Sequence, residues 1–146
     1  MIDIHQKDIQ YREATAIGEI NLTVETMNRI KNGKIEKGDP IQIAKLAGIQ
    51  GAKLTPLVIP LCHPISLEST NISFEFTNSG LKVTAKVVAN SKTGVEMEAL
   101  TAVTIALLNI WDVVKMYEKD SNGQYPFSVI SNIRVIKKVK IYYFLK

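Results

Sequence analysis

The sequence predicts an α+β fold, with helices packed on one face of an antiparallel sheet. Three observations predict it. Apolar and polar residues alternate on both sides of Asn78-Ser79-Gly80, the pattern of a hairpin with one buried face. No charged residue lies between Glu98 and Asp112, where apolar residues recur at helical spacing, as in a helix buried on more than one side. The segments run strand, helices, strand, strand, helix, strand. With 146 residues, 46% of them hydrophobic, one core suffices, and a single domain over 1–146 is expected.

Residues 13–21 read as the first strand. A short helix follows over 23–31, with Val24, Met27 and Ile30 at helical spacing and Asn32-Gly33 as its stop. Asp39-Pro40 starts a second helix, because Asp caps free amides and Pro is tolerated in the first turn. It is expected to reach about residue 53. Its small residues Ala44, Ala47, Gly48, Gly51 and Ala52 allow a backbone or a ligand to come close. Residues 57–63 form an apolar run between Pro56 and Pro64. The hairpin strands present Ile72, Phe74 and Phe76, then Leu81, Val83, Ala85, Val87 and Ala89. The long helix covers about 95–117, with Leu100, Val103, Leu107, Ile110, Val114 and Tyr117 as its stripe. A last strand spans about 127–143. This order is the split βαβ, or ferredoxin-like, arrangement. In so small a chain, the second cover for the long helix is expected to be another subunit.

The net charge of +4 invites a polyanion reading, but its placement argues against one. Residues 1–120 carry 13 Lys and Arg against 14 Asp and Glu, while Arg134, Lys137, Lys138, Lys140 and Lys146 supply the whole excess. The lone cysteine, Cys62, excludes an internal disulfide and suits a reducing compartment. No secretory signal is visible at the start, and the 13-residue uncharged run 99–111 is shorter than the roughly 20 residues of a membrane span. A cytoplasmic protein with no membrane association is expected.

Four local features place polar residues where packing does not require them. Lys37 lies in Glu36-Lys37-Gly38-Asp39, just before a helix start, where a lysine can meet a phosphate or simply be solvated. In Ile59-Pro60-Leu61-Cys62-His63-Pro64, two prolines hold Cys62 and His63. Adjacent residues in an extended chain point apart, which disfavours a Cys-His dyad, and two His with one Cys cannot furnish a usual structural zinc site. His63 remains a hydrogen-bonding or proton-transfer group, or a core histidine with a partner. Glu96 and Glu98 flank Met97 at the start of the most apolar helix. Favourable charge at a helix N-terminus accounts for one glutamate better than for two. Asp112 and Lys115, spaced i, i+3, form either a surface ion pair or a proton-transfer pair beside low-dielectric surroundings.

Glu98 and Asp112 share a helix face but lie about 21 Å apart along its axis. One pocket can contain both only if a two-fold mate runs its long helix antiparallel. Composite sites between subunits are therefore expected.

With these residues in place, the chain resembles the cyclic pyranopterin monophosphate synthase (MoaC) family of molybdenum cofactor biosynthesis. The resemblance rests on Met1-Ile-Asp-Ile, Tyr11-Arg-Glu-Ala with Gly18, Lys37-Gly-Asp, and Ala47-Gly-Ile. It is densest in Leu61-Cys-His-Pro, Thr93-Gly-Val-Glu-Met-Glu-Ala-Leu-Thr-Ala and Trp111-Asp-Val-Val-Lys115. It implies a ferredoxin-like fold assembled as a hexamer built from dimers. The implied reaction turns 3′,8-cyclo-7,8-dihydro-GTP into cyclic pyranopterin monophosphate and releases pyrophosphate. By resemblance, Lys37, Asp112 and Lys115 are catalytic, and Leu61, Cys62, His63, Glu96, Met97 and Glu98 contact substrate. Lys37, and secondarily Lys53, would lie near the phosphates. No cofactor is required, and magnesium enters only as the triphosphate's companion. The tail departs from the family's Gly-Gly-Lys-Ser-Gly pattern, reading Asn132-Ile-Arg-Val-Ile-Lys-Lys-Val-Lys140 instead.

The rival reading is a non-catalytic basic domain that binds RNA or a nucleotide. Such domains put aromatics on an exposed sheet face, whereas Phe74 and Phe76 alternate with polar residues as core residues do. No nucleic-acid partner is expected.

Overall fold

A computed structural model describes residues 1–143. Lys146, part of the basic tail, lies outside them. The elements are β1 (Gln10–Asn21), α1 (Val24–Lys31), α2 (Pro40–Val58), β2 (Ser69–Phe76), β3 (Gly80–Ser91), α3 (Glu96–Glu118) and β4 (Val129–Ile141). The sheet order is β2-β3-β1-β4 with every neighbour antiparallel, and the helices pack on one face. This is the ferredoxin-like α+β arrangement.

The alternation works as the sequence predicts. Ala14, Ala16 and Ile20 on β1 and Leu81, Val83, Ala85, Val87 and Ala89 on β3 are at most 1% exposed. Gly80 is required at the hairpin, because a Cβ there would stand 1.8 Å from the Ile20 carbonyl oxygen. Thr23 caps α1, its hydroxyl accepting from the Thr26 amide, and the Asp39 carboxylate accepts from the Ile41 and Gln42 amides at the head of α2.

Two boundaries differ from the sequence reading. β1 begins three residues earlier than expected, at Gln10, because β3 and β4 both extend far enough to pair with its start. α2 runs on to Val58 with Pro56 inside it, so the segment expected to be apolar and extended begins as helix. Proline lacks the N–H that would bond the carbonyl four residues back. Here the Thr55 hydroxyl takes its place, donating to the Ala52 carbonyl at 2.9 Å. The chain leaves the helix only at Ile59, and a turn closed by the Cys62 amide on the Ile59 carbonyl (3.0 Å) presents the next residues.

The small face of α2 receives protein rather than ligand. A Cβ on Gly48 would stand 2.3 Å from Ile72 Cδ1 and 3.0 Å from the Ala102 carbonyl oxygen. Val103, Leu107, Ile110 and Val114 of α3 are fully buried against the sheet. Part of the α2–α3 layer stays open: Leu54 and Val58 line an apolar hollow with Thr101 and Ile105, and Leu108, farther along α3, is 51% exposed. A single chain therefore does not bury its charge-free helix on every side.

Candidate active site

The nine residues expected in the site fall into two clusters, one toward each end of α3. Near its C-terminal end, the loop before α2 is fixed by the Glu36 amide donating to the Tyr117 hydroxyl (2.9 Å). Lys37 then reaches Asp112, donating to its backbone carbonyl at 3.0 Å and to Oδ1 at 3.3 Å. Lys115 Nζ stands 3.1 Å from the same Oδ1. Two lysines thus converge on one carboxylate oxygen. Lys115 first, then Lys37, holds the Asp112 carboxyl below its usual range. All three side chains remain accessible to solvent.

At the other end, a cleft of about 500 Å³ is lined by Leu61, Cys62, His63, Glu96, Met97 and Glu98, all six of the expected substrate contacts. The turn after α2 supplies the first three and the start of α3 the others. His63 Nε2 lies 2.7 Å from the Ile2 carbonyl oxygen, so that nitrogen carries the proton. The N-terminal segment forms the opposite wall through Met1, Ile2, Ile4 and Lys7.

The two glutamates occupy different environments. Glu98 is 4% exposed and its Oε2 has no hydrogen-bond partner. Burial, opposed by a backbone hydrogen bond and aided by the Glu96 charge, pushes its carboxyl up to about 7. Burial also disfavours ionised Glu96, yet Lys138 at 2.5 Å, a backbone hydrogen bond and the Arg12 charge bring that carboxyl below its ordinary value. Gly94 makes room for this carboxylate, since a Cβ there would stand 2.0 Å from Glu96 Oε2. Burial, with the Glu98 charge, raises the Cys62 thiol above its ordinary value. Lys53 is exposed on α2 and lines neither cluster.

Residues 1–140 match the MoaC family. The chain belongs to the MoaC family. A relative from Sulfurisphaera tokodaii, named "Probable cyclic pyranopterin monophosphate synthase", is 56% identical over 142 residues, covering 97% of this chain and 94% of that protein. Relatives of the same name from Sulfolobus acidocaldarius and Pyrococcus abyssi are 57% and 52% identical over 142 residues. Those alignments cover 97% of this chain in both cases, and 99% and 89% of the respective relatives.

In this MoaC-family chain, two participants escaped the sequence reading. The N-terminal segment carried a motif but no role, and Lys138 was named, with Lys137, only as a substitute for a tail phosphate contact, with no position. The register that pairs Ala14 with Lys138 puts the lysine on the helix side of the sheet, beside Glu96. Strand pairing alone conveys that placement, and no local pattern marks it.

Proposed function

We propose that this protein is a cyclic pyranopterin monophosphate synthase, a lyase of molybdenum cofactor biosynthesis. It would convert 3′,8-cyclo-7,8-dihydro-GTP into cyclic pyranopterin monophosphate and pyrophosphate. The observation that carries the reading is the convergence of Lys37 and Lys115 on Asp112 in a member of this family. Opening and reclosing the purine-derived ring requires proton transfers between nitrogen, carbon and oxygen atoms, which lysines and carboxylates at a partly desolvated site can carry. Glu98, with its carboxyl near 7, can hold or give up a proton at neutral pH. A ribose hydroxyl then attacks the α-phosphorus, and the bond to the pyrophosphate breaks as the new ester forms.

The two clusters face one substrate only in an assembly. Their separation along α3 supports a two-fold mate with its helix antiparallel, so that Glu98 of one subunit approaches Asp112 and Lys115 of the other. The open apolar hollow between α2 and α3 at Leu54, Val58 and Ile105 supports the same arrangement, since association would cover it. A hexamer built from such dimers is the assembly we infer. The reaction requires no resident cofactor, and magnesium would accompany only the triphosphate.

We also infer a soluble, cytoplasmic enzyme without nucleic-acid or membrane partners. α3 is long and apolar enough for a membrane span by composition, but its central face packs on the sheet.

The test is incubation of the purified assembly with 3′,8-cyclo-7,8-dihydro-GTP, measuring pyrophosphate and the oxidised pterin product. A folded oligomer with no turnover overturns the reading. Replacing Lys37 or Lys115 by Ala should lower kcat by roughly 10²–10⁴ without dissolving the oligomer. Mixing Glu98→Gln subunits with Lys115→Ala subunits should restore part of the activity, because some sites then contain neither change. No recovery after demonstrated subunit exchange refutes the shared site.

A further inference from the structure

Lys37 stands on a turn, residues 35–38, in the connection between α1 and α2. Ile35 is 8% exposed and roots the turn in the core, and the Gly38 amide closes it on the Ile35 carbonyl at 3.1 Å. The closing residue has φ +121°, which glycine adopts without strain. Two adjacent residues of this turn reach α3. The Lys37 side chain bonds Asp112, and the Glu36 amide donates to the Tyr117 hydroxyl at 2.9 Å. Asp112 and Tyr117 are five residues apart, about 7.5 Å along the helix axis. The turn is therefore held at two points of one helix.

Tyr117 is itself fixed. Its ring packs against the core, and the Arg29 guanidinium lies over it, 4.5 Å from the ring centre. Arg29 also donates through Nη1 to the Lys34 carbonyl (3.5 Å), just before the turn, while its Nε donates to the Glu25 carboxylate (3.3 Å). One arginine of α1 thus touches both the tyrosine ring and the chain that leads to Lys37.

We propose that Tyr117 is a positioning residue for Lys37: its hydroxyl, on a ring held by Arg29, anchors the Glu36 amide and so sets the lysine against Asp112. The part Lys37 plays in turnover rests on the synthase reading, and the anchor itself does not. A lysine has a long, flexible stem, so its ammonium is only as well placed as the backbone that carries it. A proton-transfer group must stay within hydrogen-bond reach of the atom it serves, and a displacement of about 1 Å can cost on the order of 10²-fold in rate. Glu36 is exposed, so water could satisfy its amide equally well. What the tyrosine adds is a fixed place. The apolar stripe of α3 accounts for the ring, and a phenylalanine would fill the same space. It does not account for the hydroxyl.

Tyr117→Phe tests the anchor, since it keeps the ring and deletes only the hydroxyl. With the cyclised dihydro-GTP, it should lower kcat about tenfold and leave KM within about twofold. A second readout needs no turnover: acetylation of the purified assembly by acetic anhydride, followed by mass spectrometry. Lys37 should react about threefold faster in Tyr117→Phe, while the exposed Lys53 reacts at its wild-type rate. Arg29→Met, which frees the ring and leaves the hydroxyl, should shift both readouts in the same direction by about twofold, and it serves if Tyr117→Phe does not fold. Lys31→Met removes a similar cation–ring contact of α1, onto Phe76 at 4.7 Å, and should change neither. Where the wild type turns over, either readout left unchanged by Tyr117→Phe overturns the positioning role, even if Tm falls. Faster acetylation of Lys37 in Tyr117→Phe, in a protein whose wild type does not turn over, retires the synthase reading and leaves the anchor standing.

Discussion

Glu98 and Glu118 lie at opposite ends of α3, both almost fully buried, and they meet opposite conditions. The Glu118 carboxylate accepts hydrogen bonds from the Thr23 amide and hydroxyl, from the Thr26 hydroxyl and from Ser128 Oγ at 2.8 Å. It thereby ties the start of α1 and the chain just before β4 to the end of α3. Glu98 has an oxygen with no partner and opens on a cleft. One carboxylate is spent on structure, since every donor around it is satisfied. The other is held in a state that folding disfavours, and such groups mark sites where a ligand is expected.

The largest effect that can test this contrast is on Glu118. Glu118→Ala strands the Thr23, Thr26 and Ser128 donors in the interior and should cost about 4 kcal/mol, lowering Tm by roughly 10 °C. A loss below about 1 kcal/mol in denaturant unfolding means that the network contributes little.

Next comes the pH dependence of stability. Glu98 binds its proton more tightly in the folded protein, near 7 against an ordinary 4.5. Its contribution is therefore fully present below about 4.5 and is lost as pH rises through about 7. The loss is on the order of 3 kcal/mol. Glu98→Gln should flatten that part of a stability–pH profile while removing most turnover. An unchanged profile sinks the assignment of the shift to Glu98.

Smaller still, Thr26→Val removes one donor to Glu118 and should cost about 1–2 kcal/mol with kcat unchanged. The least effect is expected for Lys86→Met, which removes a half-exposed ion pair to Glu13 (3.4 Å) and should change stability by less than about 1 kcal/mol. If Thr26→Val lowers activity as much as Glu98→Gln, the two ends of α3 are not separate in function.

Much of this was legible in the chain. The hairpin, the charge-free helix and the Asp39 cap follow from local patterns, because a strand or helix with one buried face repeats its apolar residues at a fixed period and Asp before Pro marks a helix start. The Thr23 cap does not, since the sequence reading places Thr23 inside its helix. Six of the residues that line the cleft were legible because short motifs carry them, whereas its N-terminal wall was not. The end of α2 was not, since Thr55 rescues a proline position by a contact that no spacing rule encodes.

The sequence by itself determined the elements, their order and the residue types able to move protons, because periodicity and side-chain chemistry are local. Only the tertiary structure decided which groups meet: Lys37 with Asp112 across 75 residues, Lys138 with Glu96 through the β1–β4 register, and two glutamates on one helix in opposite environments. The reason is that a carboxylate's state depends on the donors and the water around it, and these arrive from distant parts of the chain only when the sheet closes.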